Sequence, residues 1–234
     1  MGAIESPLAA LALATLLVLP GFFKPGSRAW LIAFVATLAL FIGLLVLPAL
    51  LPGERVIGDH RNWSGPLLAL AGVLWIAALL ARRNVLSWRE MGFTWTQRPG
   101  SIRPALWVSM AALALNGLAM SLSRYRLPAV PLETWIYQAT LPGLVEEAVF
   151  RGVLLALLDR AFGERRQLFG APLGWGGCVV TLVFVVLHGV TPGTLIGVTP
   201  AALLYLWLRG RTGSLVAPVV VHNLWNLSVY LAHL

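Results

Sequence analysis

Hydrophobic side chains fill most of the chain and occur in runs that approach twenty residues. About twenty helical residues are needed to cross the hydrocarbon core of a membrane. Because that core holds no water, a spanning segment must satisfy its own backbone hydrogen bonds, and a helix does so. The pattern therefore predicts an all-α fold, a polytopic membrane helix bundle of about eight transmembrane helices.

Prolines, glycines and charged residues separate these runs and set the predicted bounds of the spans. The seventh run is short, which is consistent with a tilted or incomplete span. The sequence contains no internal repeat and no linker, so we expect a single integral membrane domain over residues 1–234. The expected spans are Pro7–Phe23, Ala29–Leu51, Gly65–Ala81, Pro104–Leu122, Thr134–Leu158, Gly174–Val190, Leu195–Leu208 and Leu215–Ala232.

The distribution of basic residues predicts the orientation of the bundle. The loops after the even-numbered spans carry four arginines, whereas the loops after the odd-numbered spans carry twelve Lys or Arg residues. Since Lys and Arg are enriched on the cytoplasmic side, we expect the odd-numbered loops in the cytoplasm and both termini outside. This describes a multi-pass protein of the plasma or inner membrane. The four arginines on the outer side are Arg55, Arg61, Arg124 and Arg126.

Composition excludes other classes of protein. Hydrophobic residues make up 59% of the chain and charged residues 11%, whereas a soluble domain carries about 25% charged residues. The net charge of +8 is explained by basic cytoplasmic loops, and no clustered basic face of a soluble module indicates nucleic-acid binding. The longest cytoplasmic loop carries Trp88 and Trp95, which predicts a segment lying in the membrane interface. The partners expected are the lipid bilayer and a membrane-embedded or lipid-anchored protein substrate.

Ionisable groups inside membrane spans are rare and costly, and this chain places two carboxylates and an arginine in its fifth span. Glu147 and Arg151 are four residues apart and share a helix face, so they can form an ion pair. Glu146 is rotated by about one hundred degrees from Glu147 and faces elsewhere. A purely structural ion pair with a spare Glu146 explains this motif as well as a functional site does.

The sixth and eighth spans each add polar residues. His188 follows Phe184 by four residues, and by itself it reads as a core histidine bonded to a backbone carbonyl. His222 and Asn226 are four apart and share a face of the eighth span. Asn223 points about one hundred degrees away, where it can bond a neighbouring helix. Interhelical hydrogen bonding alone would explain this last group.

Taken together, these residues supply the equipment for amide hydrolysis without a covalent nucleophile. A carboxylate and an imidazole can hold and deprotonate a water molecule. A second imidazole and a carboxamide can donate hydrogen bonds to a developing oxyanion. A serine mechanism fits less well, because Ser109, Ser121 and Ser123 have no histidine in their own spans and no nucleophile elbow around them.

The same residues resemble the motifs of the CAAX prenyl endopeptidase type 2 family, also called CPBP or Abi-type intramembrane proteases. That family shows Glu-Glu-x-x-x-Arg, Phe-x-x-x-His and His-x-x-x-Asn, each on a separate helix. Here the motifs are Glu146-Glu147 with Arg151, Phe184 with His188, and His222 with Asn226, in the same order. The resemblance is strongest over residues 140–230 and is otherwise limited to a similar Met91-Gly92-Phe93.

The resemblance implies a role for each residue. Glu146 and His188 would activate a water molecule, and His222 and Asn226 would stabilise the oxyanion. Glu147 and Arg151 would hold the site together. Members of the family have been described both as metal-free glutamate proteases and as metalloproteases. We expect no cofactor; the alternative is zinc held by Glu146, His188 and His222, whose donor atoms suit it.

The resemblance thus predicts an intramembrane endopeptidase, a glutamate-type or metal-dependent hydrolase that processes a CAAX-type or C-terminal sorting tail. One alternative is a bacteriocin self-immunity or binding protein of the same fold without proteolysis. Another is a transporter or proton pathway, since those also use intramembrane Glu and His. No second copy of the polar motifs indicates the inverted repeats of a transporter.

Overall fold

The computed structural model describes residues 5–50, 61–123, 130–163 and 165–231. Helices dominate this part of the chain and confirm an all-α membrane helix bundle. The predicted span ends Leu51 and Ala232 and the loop residues Arg55, Arg124 and Arg126 lie outside the described residues. The helices are α1 (Glu5–Val18), α2 (Arg28–Val46), α3 (Ser64–Arg82), α4 (Ile102–Leu122), α5 (Leu132–Glu147), α6 (Leu155–Phe162), α7 (Trp175–Leu187), α8 (Pro192–Thr212) and α9 (Val216–Leu231).

Three short helical segments extend this set. Two 3₁₀ turns follow α1 and α2, at Leu19–Phe23 and Leu47–Leu50. A π-helical segment, Ala148–Leu154, joins α5 to α6 without a break in the helix. Each of the eight predicted spans corresponds to one continuous helical stretch, with α5, the π segment and α6 forming the fifth.

Four of these stretches are long and apolar enough to cross a membrane by length and composition: Ser6–Phe23, Arg28–Val46, Ser64–Arg82 and Ile102–Leu122. The apolar helices α7 and α9 are shorter, with 13 and 16 residues. Ionisable residues interrupt the α5–α6 stretch. The four long apolar stretches thus form the N-terminal half of the chain, and the polar motifs lie in the C-terminal half.

The seventh span is longer than the predicted Leu195–Leu208, because local signals at both ends extend the helix. Proline stands at the first position of α8, and the Thr191 side chain accepts a hydrogen bond from the Thr194 backbone N–H. Gly213 ends the helix in the left-handed conformation, with φ of 76°. The helix of 21 residues is long enough to span a bilayer.

A small β-hairpin, which the sequence analysis did not predict, lies between α6 and α7. Its antiparallel strands β1 (Arg165–Leu168) and β2 (Ala171–Gly174) pair from Arg165 opposite Gly174 to Leu168 opposite Ala171. Phe169 and Gly170 form the two-residue turn with φ of 50° and 75°, as a tight hairpin turn requires. The Trp207 indole donates to the Phe169 carbonyl, which ties the hairpin to the end of α8.

The core of the bundle surrounds the α5–α6 stretch. Every residue of the π segment is buried, and its neighbours come from α2, α3, α7 and α8. Large apolar side chains on α1 to α4 instead point outward, as a surface that faces lipid tails does. The polar motifs therefore lie in the interior of the molecule, inside a ring of other helices.

Candidate active site

The close crossing of α5 and α9 brings the first and last motifs together. Gly143 lies at this crossing, where an added Cβ would stand 2.4 Å from the Asn223 side-chain oxygen and 2.8 Å from the Val219 carbonyl oxygen. Only glycine allows so close an approach. One helical turn after Gly143 on α5 comes Glu147, and one turn after Val219 on α9 comes His222.

Asn223 binds the backbone of α5 at the same crossing. Pro142 stands inside α5 and has no N–H of its own to donate. The Asn223 amide donates to the Thr140 carbonyl at 3.2 Å, and its oxygen accepts from the Gly143 N–H at 2.9 Å. This contact confirms the predicted interhelical role of Asn223 and fixes the position of α9 along α5.

Glu147 and Arg151 form the predicted ion pair, and both side chains are fully buried. The Arg151 Nη1 donates to Glu147 Oε1 at 3.1 Å, and its Nη2 donates to the Ala202 carbonyl of α8 at 3.0 Å. The guanidinium carbon lies 4.3 Å from the centre of the Phe184 ring, within cation–π distance. Arg151 thus holds α5, α7 and α8 around one buried charge.

Glu147 also binds His222, a contact that the sequence analysis did not predict. The His222 Nδ1 lies 2.8 Å from the same Oε1 that pairs with Arg151. The His222 ring stacks on the Tyr205 ring of α8, with centroids 4.5 Å apart and planes 14° apart. The hydrogen bond to Glu147 and the stacking on Tyr205 together fix the orientation of the His222 ring. In this orientation Nε2 points away from Glu147.

That orientation brings three groups of three different helices to one point. Glu146 Oε2 lies 3.6 Å from His188 Nε2 and 3.8 Å from His222 Nε2. These separations are too long for direct hydrogen bonds. Among the described residues, Glu146 Oε2 has no hydrogen-bond partner although the atom is buried. A small polar group between the three atoms would be within reach of all of them.

The outer contacts of the two histidines define which ring nitrogen carries the proton. The His188 Nδ1 faces the Phe184 carbonyl at 2.9 Å, and a carbonyl only accepts, so this Nδ1 is the donor. The His222 Nδ1 donates to the Glu147 carboxylate in the same way. In the neutral rings both Nε2 atoms therefore present lone pairs towards Glu146.

The three groups differ in exposure, which defines the open side of the site. The His188 side chain is 33% exposed and Glu146 is 23% exposed, whereas His222 is only 5% exposed. His188 stands at the end of α7, next to the exposed turn that leads into α8. Water and substrate would therefore reach the site past His188.

Asn226 is the one predicted site residue that this cluster does not include. It lies one turn beyond His222 on α9 and is half-buried. Within the described ranges, its side chain makes no hydrogen bond. The structure thus brings together Glu146, His188 and His222, supported by Glu147 and Arg151.

Two residues with structural contacts to the site were missed by sequence reasoning. Tyr205 looks like an ordinary aromatic residue of an apolar span, and only the crossing of α8 over α9 reveals its stacking on His222. Arg209 was counted among the loop arginines, yet its Nε donates to the backbone carbonyl of Arg151 at 3.0 Å. Neither residue belongs to a spacing pattern that would have indicated this role.

The converging donor atoms are of the types that zinc prefers, two imidazole nitrogens and a carboxylate oxygen. Across the described ranges, no group of three His, Cys, Asp or Glu side chains has the spacing of a metal site. By the chemistry of their donor atoms, the three residues fit zinc.

Residues 128–228 match the family model described as type II CAAX prenyl endopeptidase, Rce1-like. No curated protein and no solved structure gave a match. The matched region begins just before α5 and contains the π segment, α7, α8 and most of α9, which are the elements that carry the cluster. The three motifs and their convergence agree with this match, and the resemblance of the chain to the CPBP intramembrane proteases, the CAAX prenyl endopeptidase type 2 family, is thereby confirmed.

Proposed function

We propose that this protein is an intramembrane endopeptidase that hydrolyses a peptide bond of a membrane-associated substrate with a water molecule activated by Glu146 and His188. The observation that carries the proposal is the convergence of Glu146 Oε2 with the Nε2 atoms of His188 and His222. The family match supports a protease. The water mechanism, the residue roles and the substrate are the parts proposed.

The reaction begins with a water molecule held between Glu146 and His188. The Glu146 carboxylate takes one proton as the water oxygen bonds to the carbonyl carbon of the peptide, and the carbonyl electrons move onto their oxygen. When the tetrahedral intermediate collapses, the C–N bond breaks and Glu146 returns the proton to the departing amine. His188 accepts a hydrogen bond from the water through Nε2 and so orients it.

His222 and Asn226 stabilise the negative oxygen of the intermediate in this scheme. For His222 to donate from Nε2, its ring must be an imidazolium, because Nδ1 already donates to Glu147. The Glu147 carboxylate next to it would stabilise that positive charge. Glu147 therefore has a second task besides its pairing with Arg151, namely to hold His222 in the orientation and charge state that catalysis needs.

If the enzyme uses zinc, Glu146, His188 and His222 are the residues that would hold it, and the ion would supply Lewis acidity. We expect activity to survive strong zinc chelators, because a carboxylate and two oriented imidazoles are enough to activate water. The measurement is turnover of the purified protein after chelation and removal of the chelator. Inactivation that stoichiometric zinc reverses would contradict this expectation.

The central experiment compares the termini of membrane proteins in cells that carry the native protein, Glu146→Gln or His188→Ala. We expect one or more cleaved termini to appear with the native protein only. Ser109→Ala is the matched control, because Ser109 is a buried polar residue of α4 outside the cluster, and it should behave as the native protein does.

Thermal unfolding of the same purified variants separates loss of catalysis from loss of folding. Identical termini with the native protein and with Glu146→Gln, at equal stability, would leave a binding or immunity protein of this fold as the explanation. Normal cleavage by either cluster variant would remove Glu146 and His188 as the water-activating pair.

A further inference from the structure

A polar cavity, which we call the basic cavity, lies at the end of the bundle where α8 ends, and none of the cluster residues Glu146, His188 and His222 lines it. It has a volume of about 300 Å³ and lies between the loop after α3, the end of α8 and the α6–β1 region. Polar and charged side chains supply much of its wall. Its arginines are Arg89, Arg98, Arg160, Arg165 and Arg209, and its carboxylates are Glu90 and Asp159.

The cavity carries an excess of positive charge. Among the described residues of the wall, five arginines and two carboxylates give an excess of three positive charges. Glu90 pairs with Arg160, and Asp159 lies 3.5 Å from Arg165. Within the described part of the chain, the other three arginines form no ion pair. A space whose wall carries more arginines than carboxylates favours an anionic ligand.

Arg209 is the buried member of this set, with only 8% of its surface exposed. Its Nε donates to the Arg151 carbonyl, and its Nη2 donates to the Glu90 carbonyl at 2.7 Å. Its Nη1 makes no hydrogen bond to any described residue. Asp159 supplies an opposite charge to Arg209 but shares it with Arg165, so a bound anion at this nitrogen would add to the compensation of a largely buried cation.

The type of side chain narrows the anion to one that carries a phosphate group. The guanidinium group presents its donors in a rigid planar fork that matches phosphate oxygens, and arginine is preferred where phosphate is recognised. The other cations of the cavity, Arg89 and Arg98, are exposed and can reach a ligand at its mouth. The Arg98 Nη1 donates to the Gly210 carbonyl, and this hydrogen bond holds Arg98 beside the end of α8.

Exposed aromatic residues near the cavity favour a lipid as the carrier of that phosphate. Trp95 is 88% exposed, Trp88 is 43% exposed and Phe169 at the hairpin turn is 91% exposed. Aromatic side chains of this kind collect at the level of lipid headgroups. Together with the Trp207 contact to the hairpin, they indicate that this end of the bundle meets the membrane interface.

We propose that the basic cavity binds a phosphate group, supplied by the headgroup of an anionic phospholipid or by free phosphate. The site is independent of the proposed proteolysis, because none of its side chains belongs to the catalytic cluster. Arg209 nevertheless links the two, since it holds the backbone of Arg151. Ligand binding at Arg209 would therefore also stabilise the buried ion pair of Glu147 and Arg151.

The test is a thermal-unfolding titration of the purified protein in an uncharged detergent. The probes are a short-chain phosphatidylglycerol, a phosphatidylcholine with the same acyl chains, and inorganic phosphate. The cavity variant is Arg89→Gln with Arg165→Gln, and Arg89→Gln alone is a milder form at an exposed position. The control is Arg82→Gln with Arg83→Gln, which removes the same charge from exposed positions outside the cavity.

We expect phosphatidylglycerol to raise the Tm of the native protein at concentrations where phosphatidylcholine does not. The cavity variants should move the midpoint of this titration by at least about tenfold, and the control pair should leave it unchanged. If inorganic phosphate reproduces the shift at a similar concentration, the ligand is free phosphate. Equal responses to the two lipids without a response to phosphate, or equal effects of the cavity and control variants, would overturn the proposal.

Discussion

At the scale of single residues, Arg151 joins more of the site than any motif spacing indicates. It pairs with Glu147, donates to the Ala202 carbonyl and lies against the ring of Phe184. Each contact comes from a different helix. The packing of α5, α7 and α8 around the candidate site therefore depends on one buried charge and on the carboxylate that compensates it.

We expect Arg151→Leu to destabilise the protein by about 3–5 kcal/mol, because it leaves the Glu147 carboxylate buried without its partner. Glu146→Gln should cost much less, since Glu146 is partly exposed and has no such partner. Adding Glu147→Leu to Arg151→Leu should restore part of the lost stability. Unfolding of the three variants in denaturant tests this, and a double variant no more stable than Arg151→Leu would contradict the pairing argument.

Most residues of the candidate site were predicted from the sequence, because intramembrane ionisable groups are rare and their helical spacing is visible. Pairs within one helix, such as Glu147 with Arg151, follow from the spacing of four residues. The bond from Glu147 to His222 crosses 75 residues of chain, and no local pattern encodes it. The stacking of Tyr205 on His222 is equally non-local and appears only when α8 and α9 are packed.

At the scale of the elements, the crossing of α5 and α9 sets the geometry of the cluster. Gly143→Ala would place a methyl group 2.8 Å from the Val219 carbonyl, and backbone cannot yield as a flexible side chain does. We expect the helices to separate, with a loss of stability of about 1–3 kcal/mol and a strong loss of activity as His222 moves from Glu147.

Gly117→Ala is the matched control for this prediction. Gly117 lies in α4, and an added Cβ there meets nothing within 4 Å. That variant should be neutral or more stable by about 0.5–1 kcal/mol, the usual preference of a helix for alanine. Comparable losses of stability in Gly143→Ala and Gly117→Ala would mean that close packing at the α5–α9 crossing is not the cause.

The loop after α3 gives a prediction that depends on pH. The backbone N–H of Ser87, with smaller contributions from its hydroxyl and from Arg160, holds the pKa of Glu90 below its ordinary value of 4.5. The folded state therefore gains stability from ionised Glu90 above that pH and loses it as the pH falls through the lowered pKa. Glu90→Gln should lower the Tm at pH 7 and have less effect at pH 3.

Ser87→Ala is the control here, because it removes the hydroxyl but keeps the backbone N–H that contributes most. The Tm of this variant should retain most of the pH dependence of the native protein. A Tm difference between native protein and Glu90→Gln that stays constant from pH 7 to pH 3 would show that Glu90 ionisation does not stabilise this loop.

The helices themselves were predictable to within a few residues, since long apolar runs allow little else in a membrane. The β-hairpin was not, because strands of four residues with arginines in β1 and a proline in β2 give no alternating pattern. The π segment was not predicted either. Its sequence reads as an ordinary apolar helix, and the wider turn becomes visible only in the backbone.

At the scale of the whole molecule, the depth of the cluster bears on the choice of substrate. Glu146 stands about 21 Å from the start of α5, at 1.5 Å per residue, which is near the middle of the α5–α6 stretch, and we expect it near the middle of the membrane. A soluble peptide would have to leave water to reach it. The predicted cytoplasmic loops also carry twelve Lys or Arg residues, which would repel a polybasic tail.

We therefore expect the substrate to be hydrophobic itself, such as an anchor helix, a sorting tail or a lipid-linked peptide that enters between helices. Purified protein should cleave an apolar anchor peptide with small residues at the scissile position better than a prenylated polybasic peptide. Cleavage products identified by mass spectrometry decide the matter. Efficient cleavage of the prenylated peptide alone would restore the CAAX substrate.

The π segment determines how far α6 is rotated about the helix axis relative to α5. A π-helical stretch holds one residue more than an α-helix of the same rotation, so it shifts the angular register of everything that follows. Without that surplus residue, α6 would turn by about 100° relative to α5. The offset lets Glu146 and Glu147 face the cluster while Asp159 and Arg160, on the same continuous rod, face the basic cavity. One continuous helical stretch thereby supplies side chains to two separate polar sites that face different directions.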